Sequence, residues 1–365
     1  MTKKILSSLF LILSLSSFSQ NSSLSDKAAV SIFTCGRGDE LYTTFGHTAI
    51  RIKDDKSNLD IVFNYGAFNF NTENFYLKFI KGDLQYFINA TSYDEFIYEY
   101  KMENREVIEQ TLDFSTEQKE KLFDLLQSSL YSEERSYTYK FIDRNCTTMV
   151  VEKINKMIGK DLLKKVDDTT ISYRKLLYPY FENHFYYKLG INIIFGAKTD
   201  NNAEKLFLPS ELMHSLNKVI INGKPLAIKT ETIVNGSKLK SEFSFVNSIY
   251  FIILLLLIIA IFNNKKIFLT YLFISGLLGL FLSLVGLYSF HKEVLWNYNV
   301  LLFNPLFLIL PFLKSKSYRI IIKTCLLLLS IYLIMLITKP NLLLMMPFIF
   351  VKYYILWKLL KFERK

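Results

Sequence analysis

The sequence predicts two unlike parts: an α+β domain carried outside a membrane and, behind it, an all-α bundle of about five membrane-spanning helices. Three observations carry that reading. Residues 1–19 have the layout of a secretory signal, residues up to about Phe245 mix strand-like and helix-like patterns, and apolar runs then dominate to the end. The chain has 365 residues, 51% hydrophobic and 16% aromatic, with a net charge of +11, which is room for one ordinary domain and a second unit. The positive balance does not point to nucleic acid, because much of the excess in the second half sits in short loops between apolar runs. Four His and three Cys, widely scattered, form no zinc pattern. No metal or other cofactor is expected.

Lys3 and Lys4 precede an apolar stretch from Ile5 to Phe18, too short to span a bilayer, and Ser17 and Ser19 give a small-x-small cleavage site. Cleavage after Ser19 leaves an exported domain over 20–245. Ala28 to Thr34 reads as a strand ending in the turn Cys35, Gly36, Arg37, Gly38. His47–Ile52 and Asp60–Tyr65 read as a hairpin. If Ile52 faces Asp60, His47 faces Tyr65, and a one-residue bulge puts Asn64 there. Phe68 to Ile88 is rich in aromatics and broken at Gly82. Tyr93–Tyr100 reads as a helix and Glu106–Phe114 as a strand. Ser115 with Gln118 forms a capping box for a helix to about Leu130, with Leu122, Leu125, Leu126 and Leu130 on one face.

The next helix opens at Cys146. Asp143 and Asn145 are good caps, Met149, Val150, Ile154, Met157 and Ile158 make one apolar face, and Gly159 is a good stop. Further on, Tyr173–Phe185 is helical but interrupted at Pro179, Pro209–Leu216 is a short helix, and Asn222 and Gly223 mark a hairpin turn.

Residues 246–365 are expected to form the membrane domain, with spans at about 246–262, 267–290, 300–313, 320–338 and 342–360. The third is short and interrupted by Pro305 and Pro311, which suits a re-entrant segment. With the first domain outside, Lys265, Lys266, Lys314, Lys316, Arg319, Lys361, Arg364 and Lys365 all fall inside. The outer loops keep only Lys292, offset by Glu293, and Lys339. The positive-inside rule and the signal therefore agree on a multi-pass inner-membrane protein with a periplasmic first domain and a cytoplasmic C-terminus. The outer loop from His291 to Asn299 places polar amides close to hydrocarbon, where they are costly unless paired or used.

A thiol at a helix N-terminus meets the positive end of the macrodipole and free N–H groups, both of which favour the nucleophilic thiolate. His47, opening a strand, is the complementary acid and base. Against this stands a plain alternative: Cys35 and Cys146 are the only cysteines before the apolar runs, and in an oxidising compartment they could pair as a structural disulfide in a non-catalytic membrane scaffold.

The run Thr34-Cys35-Gly36-Arg37-Gly38 with Tyr42, the run Phe45-Gly46-His47-Thr48-Ala49-Ile50-Arg51, then Asn64-Tyr65-Gly66, then Asn145-Cys146-Thr147, resembles the Lnb-type lipoprotein N-acyltransferases of Bacteroidota. Phe207-Leu208-Pro209 and the pattern His291, Asn297, Asn299, Asn304-Pro305 are similar to the same family. The order, His before a Cys that opens a helix, also resembles permuted papain-like (NlpC-type) enzymes. The resemblance implies that fold for the exported domain, with Cys146 as nucleophile and His47 as general base and acid; a third group should orient the imidazole, and Asn64, in the bulged register, is the chemically familiar choice. It implies His291, Asn297 and Asn299 at the substrate, a phospholipid as acyl donor and a diacylglyceryl-cysteine lipoprotein as acceptor. Arg37 stands where the family turn usually has proline. A phospholipase or peptide amidase with the same dyad is the nearest alternative, since transfer and hydrolysis differ only in whether water reaches the thioester.

Overall fold

A computed structural model describes residues 24–221, 223–237 and 243–362. The signal segment 1–19, Asn222, Arg364 and Lys365 lie outside the described residues. The N-terminal part is built on one antiparallel sheet of seven strands in the order β6-β4-β3-β2-β1-β5-β9: β1 (Ala29–Cys35), β2 (His47–Asp54), β3 (Leu59–Ala67), β4 (Gln85–Ser92), β5 (Val107–Leu112), β6 (Ser136–Thr138) and β9 (Ala227–Val234). A two-stranded hairpin, β7 (Ile220–Ile221) with β8 (Lys224–Pro225), stands where the turn at Gly223 is expected.

Helices cover both faces. On one lie α3 (Thr116–Tyr131) and α4 (Cys146–Ile158), whose Leu122, Leu126, Met149, Val150 and Ile154 meet Ile32, Ile50, Phe63 and Tyr65 of the sheet. Each such aliphatic side chain contributes about 1.5–3 kcal/mol by leaving water. The capping box of Ser115 and Gln118 starts α3 as expected. On the other face α2 (Tyr93–Met102) packs Phe96, Ile97 and Tyr100 against Phe33, Cys35, Ala49 and Val62. Between β3 and β4 runs α1 (Phe75–Lys81), closed by Gly82 in the left-handed conformation.

The hairpin register differs from expectation by one residue. Lys53, not Ile52, faces Asp60, and Ile52 faces Ile61. A bulge does occur, but on the other edge of β3, between Tyr65 and Ala67 where β3 pairs β4. The edge strand β9 is absent from the sequence reading because its middle is exposed on both faces and carries no apolar alternation.

Beyond α4 come α5 (Tyr173–Leu177), a 3₁₀ turn holding Pro179, α6 (Phe185–Ile194) and α7 (Pro209–Lys218). The apolar part has α8 (Ile249–Phe262), α9 (Lys265–Tyr288), α10 (Ser315–Leu336) and α11 (Leu342–Phe362). The expectation of about five spans is corrected. Among the described residues three helices, α9, α10 and α11, are long and apolar enough to cross a membrane, or four spans if the bent pair 292–301 and 305–312 counts as one. The 14 residues of α8 give roughly 21 Å, short of the ~30 Å hydrocarbon core. The segment around Pro305 and Pro311 is a string of short 3₁₀ turns bent by 56°, because each proline removes a donor that a helix needs.

The two parts are joined by a buried polar network. Arg174 on α5 donates to Asp200 (2.7 Å), to the Asn192 amide oxygen and to the carbonyls of Phe195 and Gly196. Lys339, in the loop before α11, donates to the other Asp200 oxygen at 2.9 Å. Asn297 and Asn299 donate from their side chains to the last carbonyls of α6, at residues 192 to 194, all between 2.8 and 2.9 Å. Those carbonyls have no partner within a helix.

Candidate active site

Three segments converge at one end of the sheet. The first is the run into β2. Gly46 has a φ of +78°, and a Cβ there would come within 2.5 Å of the Cys35 carbonyl oxygen, so only glycine turns the chain into the strand. Phe45 anchors that turn, its ring 5.1 Å from Phe141 and 5.6 Å from Phe181. Arg37 adds a fastening where proline would stiffen the turn, donating to the Pro179 carbonyl at 2.7 Å. The second segment is the N-terminus of α4. Asn145 caps it by accepting from the Thr148 N–H, while the Thr148 hydroxyl accepts from the Asn145 N–H. The Asn145 amide also donates to the carbonyls of Phe141 and Phe207, both at 2.9 Å, which ties the cap to the Phe207-Leu208-Pro209 run. The third is the end of β3, carrying Asn64 and Gly66.

Cys146 and His47 face each other, both half-buried, and share a hydrogen bond. The His47 Nε2 is hydrogen-bonded to the Asn64 amide oxygen. That leaves Nδ1 as the ring nitrogen for the thiol. The register explains the geometry: continued by one pair, it sets Asn64 beside Ala49, on the face His47 shares two residues away, so the contact is diagonal rather than direct. No bulge between β2 and β3 is needed.

The pair is electrostatically tuned. Burial opposes a Cys146 thiolate, but the charge and hydrogen bond of His47, the Thr48 N–H and the Thr147 hydroxyl outweigh it and hold the thiol below its ordinary value. Burial likewise opposes an imidazolium, yet Cys146 and the Asn64 oxygen raise His47 above the usual histidine range. The geometry thus favours a thiolate–imidazolium pair. Thr147 is itself held by Thr48, hydroxyl to hydroxyl at 3.0 Å.

Gly66, to which the sequence reading gives no task, closes the site. Its φ is +107°, and a Cβ there would stand 3.5 Å from His47 Cε1 and 3.6 Å from the Cys146 Cβ. The signal available was its place two residues after Asn64, in a strand where glycine marks a bulge or a close approach.

Cys35 and Cys146 are both free thiols, so the disulfide of the scaffold alternative is not formed. Cys35 lies cross-strand from His47 but is packed against α2, and burial pushes its thiol up to about 12. Arg51, the last residue of the histidine motif, is a structural clamp. It pairs with Asp60 at 2.6 Å and Glu109 at 3.0 Å and lies over the Tyr93 ring at 3.6 Å.

The sequence-predicted residues of the outer loop lie elsewhere. The His291 Nε2 is bonded to the Phe79 carbonyl of α1 at 2.9 Å. Asn297 and Asn299 turn inward to α6, and Asn299, fully buried, also accepts from Tyr332 at 2.7 Å. Among the described residues no cluster of three or more His, Cys, Asp or Glu could hold a metal ion.

These features define a membrane-embedded protein whose α+β domain presents a paired thiol and imidazole and is joined to a set of membrane-length helices. Residues 15–178 match the family model of the Lnb N-terminal periplasmic domain, so this part of the chain is similar to that domain. No curated protein and no solved structure matches the chain.

Proposed function

We propose that the protein is a thiol-dependent acyltransferase of the inner membrane, moving an acyl chain from a phospholipid to the N-terminal amine of a diacylglyceryl-cysteine lipoprotein. The observation that carries this reading is the Cys146–His47–Asn64 arrangement at the start of α4, in a chain with membrane-length helices. The permuted papain-like order, histidine strand before cysteine helix, is the architecture expected for it.

The Cys146 thiolate attacks the ester carbonyl of the donor, forming a C–S bond. The N–H groups of Cys146 and Thr147 belong to the first helical turn, which has no intrahelical acceptors for them, and they suit the developing oxyanion. The ester C–O bond breaks, and the lysophospholipid alkoxide takes the His47 proton. In the second half the lipoprotein amine attacks the thioester while the now neutral His47 accepts its proton. A C–N bond forms, the C–S bond breaks, and the thiolate–imidazolium pair returns. Asn64 holds the imidazole with Nδ1 toward sulfur. His291, at the junction of α1 and the membrane helices, belongs to the face the substrates approach. Asn297 and Asn299 support that face from behind.

The test is complementation of cells lacking their own lipoprotein N-acyltransferase, read by mass spectrometry of a lipoprotein N-terminus. Wild type, Cys146→Ala and His47→Ala are compared at matched expression. N-acylation by wild type alone is expected. Acylation that survives Cys146→Ala would place the chemistry elsewhere. Release of free fatty acid with no N-acylated product would mean a hydrolase.

A further inference from the structure

The short helix α1 is a poor fit to water. None of its seven residues is buried, and Tyr76 and Leu77 are 75% and 59% exposed, with Phe79 and Ile80 also open. Phe70, just ahead of it, is 59% exposed. A contiguous apolar surface of this kind marks an interaction site.

The position of α1 says what covers it. The helix is fastened to residues that directly follow the membrane-length helix α9. Ser289 donates its hydroxyl to the Ile80 carbonyl at 2.8 Å, the Phe290 N–H donates to the Lys81 carbonyl at 2.6 Å, and His291 bonds the Phe79 carbonyl at 2.9 Å. The end of α9 is where hydrocarbon gives way to headgroups, so α1 stands at that depth. Its own last turn carries Lys78 and Lys81, and Lys81 and Lys140 both lie over the exposed Phe290 ring, at 5.5 and 5.3 Å. Aromatics with cations beside them are the chemistry of a membrane interface.

From α1 an aromatic file leads inward. Phe75 touches Phe70 at 5.2 Å and Phe68 at 5.9 Å, and Phe68 touches Tyr86 at 5.0 Å. Phe68 follows Gly66 by two residues, and a Cβ at Gly66 would stand 3.6 Å from the Cys146 Cβ, so the file ends beside the thiol.

We propose that α1 with Phe70 is an interfacial foot that lies in the leaflet facing the exported domain and guides a phospholipid acyl chain along Phe75, Phe70 and Phe68 to Cys146. The route to Cys146 rests on the acyl-carrier reading above. The immersion of α1 does not.

Two measurements separate these. The full chain carrying Cys146→Ala and Leu77→Cys, labelled with an environment-sensitive fluorophore, is reconstituted in vesicles of phosphatidylethanolamine and phosphatidylglycerol containing a lipid spin-labelled near the top of its chain. The comparison label is at Ser57→Cys, in the turn at the far end of β2, about 25 Å along the strand from His47. Quenching and a blue shift at 77 but not at 57 are expected. A label at 77 as wet and unquenched as that at 57 overturns the immersion. In the second measurement Tyr76→Asp with Leu77→Asp is made in the otherwise unaltered chain. Acylation of Cys146 from vesicle phospholipid is expected to fall tenfold or more, while acylation by water-soluble p-nitrophenyl acetate stays within twofold. Equal rates with both donors overturn the guiding role. If wild-type Cys146 accepts no acyl group from either donor, the acyl-carrier reading fails while the fluorescence result stands.

Discussion

Asn64→Ala removes the one acceptor that the structure gives to the distal nitrogen of His47. That bond favours the imidazolium, and a hydrogen bond to a charged group contributes about 1.5–3 kcal/mol. Its loss lowers the His47 value. That free energy shifts the balance between thiolate–imidazolium and neutral pair about tenfold to a hundredfold toward the unreactive thiol. The assay is the pH dependence of Cys146 alkylation by iodoacetamide, followed by intact mass on the full-length protein. Wild type should react with a midpoint below the ordinary thiol value of about 8.5, and Asn64→Ala should move that midpoint upward. Acyl transfer should fall by about the same tenfold to hundredfold. Asn64→Asp restores an acceptor and should recover most of the loss. An unchanged midpoint in Asn64→Ala, with transfer within threefold of wild type, would refute the assignment of Asn64 as the residue that positions His47.

Four further outcomes are expected. Gly66→Ala places a methyl at ordinary contact distance from both His47 and Cys146, but on a backbone at φ +107°, so it should cost about 1–3 kcal/mol and slow Cys146 alkylation, as a thermal melt with a timed alkylation will show. Native labelling at neutral pH should modify Cys146 and spare Cys35, whose thiol burial pushes up to about 12, and denaturant should expose Cys35. The pH–rate profile of transfer should be bell-shaped, because protonation of a thiol held below its usual range sets the acid limb and loss of the proton from an imidazolium held above its usual range sets the alkaline limb. Arg174→Met should lower stability by about 3–5 kcal/mol in a detergent melt, since Arg174 is buried and its loss leaves the Asp200 carboxylate with Lys339 alone and takes the side-chain donor from the Phe195 carbonyl.

Much of the site was legible because it is built from local rules. A cap, a cysteine and an apolar stripe over thirteen residues announce α4 without any tertiary knowledge, and a glycine before a histidine and alternating residues announce β2. Chemistry and a supposed bulge single out Asn64, but its geometry was not legible. A hairpin loop fixes register only through its turn, and an error of one residue exchanged a diagonal partner for a direct one. The strands β4 and β9 were not legible for opposite reasons. Aromatic crowding hid the alternation of β4, and β9 is an edge strand with too little buried surface to show a pattern. The break at Pro305 and Pro311 was legible from the prolines themselves, whereas hydropathy did not show that the first apolar segment forms a helix of 14 residues.

The joint at α6 bears on how such a protein can be divided. Three carbonyls at the end of that helix find their donors only on Asn297 and Asn299, a hundred residues downstream, and Asp200 shares its charge with Lys339 further still. A soluble fragment ending at Phe245 would therefore keep every residue of the thiol–imidazole pair and lose the far side of its own scaffold. Its silence in an assay would say little about the pair. The α+β domain borrows part of its interior from the loops between the apolar helices.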